Sequence, residues 1–95
     1  MNKKQSKTFR RIFEKPTRSD IAFKDIENLM LALGFERIEG RGSRVTFKSF
    51  KGRILFHRPH PGKETKAYAI ENLREFLFAV GIVPEGIIDE ERNRN

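Results

Sequence analysis

The sequence predicts an α+β fold, a small three-stranded antiparallel sheet with one helix before it and one after it, both on the same face. Three observations carry that prediction. Apolar residues recur at helical intervals in two separate stretches, they alternate with polar residues in the segment between, and glycine or proline stands at most of the changeovers.

The first helix is written by Phe23, Ile26, Leu29, Met30 and Leu33, with Gly34 where a C-terminal cap belongs. A two-residue rhythm follows in FERIE (residues 35–39), the weakest of the three strand signals, and the GRGS turn (residues 40–43) separates it from RVTFKSF (residues 44–50). There Val45 and Phe47 point one way while Arg44, Thr46 and Lys48 point the other, as a half-buried strand requires. Lys51 and Gly52 turn the chain into RILFH (residues 53–57). If Ile54 and Phe56 join Val45 and Phe47 in the core, then Arg53, Leu55 and His57 share an open, strongly basic face with Arg44, Thr46 and Lys48. Pro59 and Pro61 end this strand, because each lacks a donor and pushes its predecessor into extended geometry. After the polar loop GKETK, the second helix runs from Ala67 or Tyr68 to Val80, with Ile70, Leu73, Leu77 and Val80 on one stripe and Gly81 as the stop.

The remaining segments divide the chain into residues 1–18, a domain over 19–83 and a tail over 84–95. Residues 1–18 read as a flexible or marginally helical basic arm. In it Phe9, Ile12 and Phe13 make at most a short amphipathic turn, since helices this short are unstable without docking. The tail reads as loose, with Ile87 and Ile88 as residues that would dock it.

Ninety-five residues, 37% of them hydrophobic, suffice for one modest core. At this size a domain buries roughly 60–65% of the surface its unfolded chain exposes. No cysteine is present, so neither a disulfide framework nor a thiolate zinc site holds the fold, which fits a reducing, cytoplasmic setting. The longest apolar runs fall far short of the roughly 20 residues that span a bilayer, and the expectation is of no membrane association. The net charge is +7 with a pI near 10.1. Residues 1–18 contribute net +6 and residues 37–66 net +7, while the flanking helical stretches and the C-terminal end are acidic. A positive field concentrated on the central segment points to a polyanion, nucleic acid being the commonest, although solubility alone would also account for it.

Several chemistries are poorly served. The chain has no phosphate-binding loop, since GRGS alone is too short and reads as a tight turn. There is no nucleophile elbow for serine hydrolysis, and no acidic cluster of the kind a magnesium nuclease uses. His57, His60 and Glu64 make a weak zinc candidate, because histidines three apart in an extended, proline-bounded segment do not converge. No metal or other cofactor is therefore expected. Acid-base catalysis on RNA fits better. Cleavage through the 2′-hydroxyl needs a base for its proton, an acid for the departing oxygen and cations for the phosphate. Histidine, with an ordinary pKa of about 6.5, serves as either proton carrier. His60, framed by Pro59 and Pro61 beside Arg58 and Lys63, is the leading candidate and His57 the weaker one. The bland alternative is that PHP is a strand terminator carrying an exposed histidine.

The order of these pieces resembles the HicA family of bacterial toxins. The pieces are a helix, glycine-Phe, the turn and strand GRGSRVTF, a strand ending in PHP, then GKETK and AIENLREFLFAVGI. The resemblance covers Asp20 to about Ile82. It implies an α-β-β-β-α fold like that of double-stranded-RNA-binding domains. It also implies a metal-independent mRNA interferase, active on RNA until a HicB-type antitoxin covers it. Gly42 and Ser43 match the family's GS turn, and His60, Gly62, Lys63, Glu64 and Lys66 match a second motif block. One departure stands out. Many members carry the catalytic histidine directly after GS, where this chain has Arg44, and arginine stays protonated and takes no proton. Catalysis then rests on His60, assisted by His57, with RNA held by Arg41, Ser43, Arg44, Lys48, Arg53, Arg58, Lys63 and Lys66. The alternative is a non-catalytic RNA-binding module of the same fold, and a third reading is a protein-interaction domain with incidental charge.

Overall fold

The structure is a computed structural model and describes residues 1–85. It begins with a helix inside the segment expected to be a flexible or marginally helical arm. This helix, α1 (Lys3–Ile12), opens on a capping box: the Asn2 side chain accepts from the Gln5 amide at 2.8 Å, and the Asn2 amide donates to Gln5 Oε1 at 2.9 Å. Arg10 and Arg11 occupy its last turn, where cations suit the helix dipole. A ten-residue helix is marginal alone, so tertiary contacts make up the rest. Phe9, Ile12 and Phe13 are all in the core. Arg74, far along the chain, donates from Nε to the Ile12 carbonyl at 2.9 Å and from Nη2 to the Glu14 carbonyl at 3.0 Å and Thr17 Oγ1 at 2.8 Å. The expected arm is thus corrected to a docked helix, and the docking residue lies where a reading of local pattern does not look.

Helix α2 (Phe23–Ala32) buries Phe23, Ile26, Leu29 and Met30, and also Glu27. It ends as the sequence predicts. Gly34 takes φ +94°, its amide donates to the Leu31 carbonyl, and the Phe35 amide donates to the Met30 carbonyl, which satisfies the final carbonyls. Helix α3 (Ala67–Ala79) ends in the same way on Gly81, with Ile82 N donating to Leu77 O at 2.8 Å.

Between them lie β1 (Glu36–Glu39), β2 (Arg44–Ser49) and β3 (Gly52–His57), antiparallel in the order β1-β2-β3. Val45, Phe47 and Phe56 turn one face of this sheet toward the helices, with Ile54 partly buried beside them. The Phe56 ring makes edge contacts with Phe23 of α2 at 5.5 Å and with Phe47 at 6.0 Å, tying sheet to helix. No described element covers the other face. The α+β arrangement and its one-sided helical layer are those expected, with α1 as a third helix packed on α2 and α3. Ile82 and Val83 close the core beyond α3. Ile87 and Ile88 lie outside the described residues.

Candidate nucleic-acid interface

Strand register fixes what the open face displays, since residues opposite one another in an antiparallel pair share a face. At one end Arg44 faces His57. In the middle Ile38, Thr46 and Leu55 form a row, and at the hairpin end Glu36, Lys48 and Arg53 form another. Ile38 and Leu55 are about half exposed at 41% and 52%, so this row is a largely apolar strip between the Arg44–His57 pair and a row in which Lys48 and Arg53 outnumber Glu36. The alternation that predicted Arg44, Lys48, Arg53 and His57 on one face is therefore realised.

The GS turn and the PHP segment meet at the Arg44–His57 end. Gly42 takes φ +61°, and a Cβ on Gly40 would stand 3.0 Å from Arg44 Cβ, so the Arg44 side chain begins tight against a glycine. The Ser43 carbonyl accepts from the Arg58 amide at 2.8 Å, extending the β2–β3 pairing by one bond. Beyond Pro59–Gly62 the chain is caught again. Phe23 N donates to Lys63 O at 2.9 Å, Thr65 N donates to Ile21 O at 2.8 Å, and Ala22 and Glu64 form an antiparallel bridge. His60 is exposed within a four-residue bow strung between these anchors. His57 is exposed on the sheet, and neither imidazole has a side-chain hydrogen bond to a group among the described residues.

Arg58 does not stand where a phosphate-holding role would put it. Its guanidinium donates twice to Glu39, from Nη1 and Nη2 at 2.7 Å each, and Nη2 also reaches Glu27 Oε2 at 3.1 Å. Arg37 approaches the same Glu27 oxygen at 3.4 Å and Glu39 at 3.5 Å. The paired hydrogen bonds from Arg58 hold the Glu39 carboxyl below the usual glutamate range, and those same carboxylates push the Arg58 pKa up. Glu27 is 6% exposed. Arg58 thus joins the end of β3 to α2 and to the end of β1, and its charge is already answered. Sequence reasoning missed Glu27 and Glu39. The available signal was a glutamate one helical turn after Phe23, on the apolar side of α2.

The other predicted cations are differently placed. Arg41, Arg44, Lys48, Arg53, Lys63 and Lys66 are exposed and form no ion pair among the described residues. Arg41, Ser43, Arg44 and His57 gather at one end of the sheet with the PHP bow. Lys48 and Arg53 lie at the other end, and Lys63 and Lys66 flank the entrances to α2 and α3. Among the described residues no three His, Cys, Asp or Glu side chains are grouped as metal ligands, so His57, His60 and Glu64 do not converge. No helix among the described residues is long and apolar enough to cross a membrane.

Among the described residues, fold and surface together define a small α+β domain that presents unanswered cations on an open sheet face and the loops at its end. Residues 23–76, from the first residue of α2 into α3, match the family described as HicA toxin of bacterial toxin-antitoxin, and the chain belongs to that family. It is therefore a toxin of a toxin–antitoxin pair, with the double-stranded-RNA-binding-domain-like arrangement of the family. No curated protein and no solved structure matches the chain. Helix α1 lies outside the matched segment.

Proposed function

We propose that this toxin is a cytoplasmic, metal-independent endoribonuclease that cleaves mRNA, stops translation and is neutralised by a HicB-type antitoxin. The observation that carries the reading is a set of exposed cations that pair with no described residue: Arg41, Arg44, Lys63 and Lys66 near a histidine-bearing loop stitched to the GS turn, and Lys48 and Arg53 at the far end of the open face. In this scheme the neutral imidazole of His60 accepts the 2′-hydroxyl proton. The O2′ attacks the adjacent phosphorus, and the 5′-oxygen leaves with a proton from an imidazolium, leaving a 2′,3′-cyclic phosphate. His57 is the second proton carrier. Arg44, Lys63 and Lys66 stabilise the charge developing on the phosphate. Arg58 acts through position, by fixing one end of the bow that carries His60.

Inducing the chain in a bacterium tests this reading. Growth arrest with loss of mRNA is expected for the wild type and is expected to disappear in His60→Ala. If both behave alike, His60 leaves the mechanism. Arg44, standing where many relatives have a histidine, favours a second reading: a module that binds RNA without cutting it. That reading predicts RNA binding without cleavage products. Both predict steep salt dependence. Each phosphate neutralised on a single strand contributes about −0.7 to the slope of log K against log salt, so engagement of all six cations gives roughly −4. No binding even at low salt would point instead to a protein-interaction domain.

A further inference from the structure

At the tip of the β2–β3 hairpin Phe50 is 97% exposed, the most exposed large apolar side chain among the described residues. Single exposed apolar residues are ordinary on protein surfaces, so exposure alone says nothing. The surroundings say more. Phe50 and Lys51 form a two-residue connection, a place where asparagine, aspartate or glycine is usual and phenylalanine contributes nothing to the turn. Lys51 Nζ stands 5.9 Å from the Phe50 ring centroid. Lys48 and Arg53 face each other one pair below Ser49 and Gly52, like charges across the strands, and Glu36, opposite Lys48, forms no ion pair with either among the described residues. The base of the hairpin is seated closely: a Cβ on Gly52 would stand 3.3 Å from Phe76 Cε1, and the Lys51 amide donates to Ser49 Oγ at 3.1 Å. An exposed aromatic ring is thus held on a firm support beside three cations.

We propose that Phe50 is a stacking platform for an unpaired nucleobase, with Lys48, Lys51 and Arg53 holding the phosphates on either side of it. The inference rests on the RNA reading above and adds a contact which that reading does not contain. An aromatic face accepts any base, and flanking cations supply the backbone contacts, the combination by which single strands are held without sequence readout. The ladder also sets a distance. Five residues separate Ser49 from Arg44 along β2, which at about 3.4 Å per residue puts the tip roughly 17 Å from the Arg44–His57 end. The stacked base is then several nucleotides from the bond that meets the PHP bow.

The test uses the full chain with His60→Ala, to prevent cleavage, and an unstructured RNA dodecamer carrying 2-aminopurine at successive positions. Stacking is expected to quench 2-aminopurine at one position. Adding Phe50→Ala is expected to abolish that quenching and weaken binding by about 5- to 150-fold, while Phe50→Trp retains both. An unchanged thermal midpoint shows that the fold is intact. Equal binding and quenching in Phe50→Ala overturns the platform while leaving the RNA reading in place. No RNA binding by the parent chain overturns both. Unchanged RNA binding with lost neutralisation by the antitoxin overturns the platform too, and makes the tip a protein contact.

Discussion

Ile12→Ala is expected to lower the stability of the domain by about 2–5 kcal/mol, the cost of truncating a fully buried isoleucine. Ile12 is 0% exposed and sits in the core with Phe9 and Phe13, so the shortened side chain leaves a cavity against α2 and α3. Domains of this size have total stabilities of roughly 5–15 kcal/mol, which makes the loss a large fraction of the whole. Denaturant unfolding followed by circular dichroism reads it as a lower midpoint at unchanged slope. A shift below about 0.5 kcal/mol, the usual range for surface changes, would mean that α1 is not part of the folded core.

The second large effect is expected at Arg58. Arg58→Ala leaves Glu27 buried with only the longer contact from Arg37, and breaks both hydrogen bonds to Glu39. Removing one partner of a buried pair is costly because the remaining charge stays desolvated. Arg58 is itself one-third exposed, so the loss is discounted to about 2 kcal/mol. A second change, Glu27→Gln, is expected to return part of it.

The pH dependence has a definite sign. Glu39's carboxyl is lowered from its ordinary value of 4.5, so the pairing contributes fully above that pH and is lost as pH falls through the lowered value. The wild type should therefore lose stability below about pH 4.5 more steeply than Arg58→Ala. RNA binding separates position from contact. Arg58→Ala should reduce cleavage while leaving the salt slope unchanged, whereas Arg44→Ala should reduce that slope by about 0.7. A reduced slope in Arg58→Ala would restore Arg58 as a phosphate ligand.

These two residues also mark where the sequence stopped being legible. Helix α2, strands β2 and β3 and helix α3 were readable because their apolar periodicity is complete and because Gly34, Gly81, Pro59 and Pro61 punctuate them. The open-face cations followed from the same alternation. Helix α1 was not readable in this way. Its ten residues carry few apolar groups, its cap is an asparagine and a glutamine rather than a more familiar pair, and its clamp, Arg74, comes from α3. Arg58 looked like a free cation because its carboxylate partners lie 19 and 31 residues away. Local pattern reports which face a side chain takes. It does not report which distant charge already occupies it.

The Arg74 clamp bears on the order in which a ribosome releases this chain. Ile12 and Arg74 are 62 residues apart, so α1 emerges before its clamp, short and underfilled, and waits for α3 before the Ile12 carbonyl finds that donor. Its apolar stripe stays without a complete seat until α3 follows. Completion of the core is thereby tied to the synthesis of α3, and a chain interrupted between α1 and α3 lacks the residue that closes the clamp.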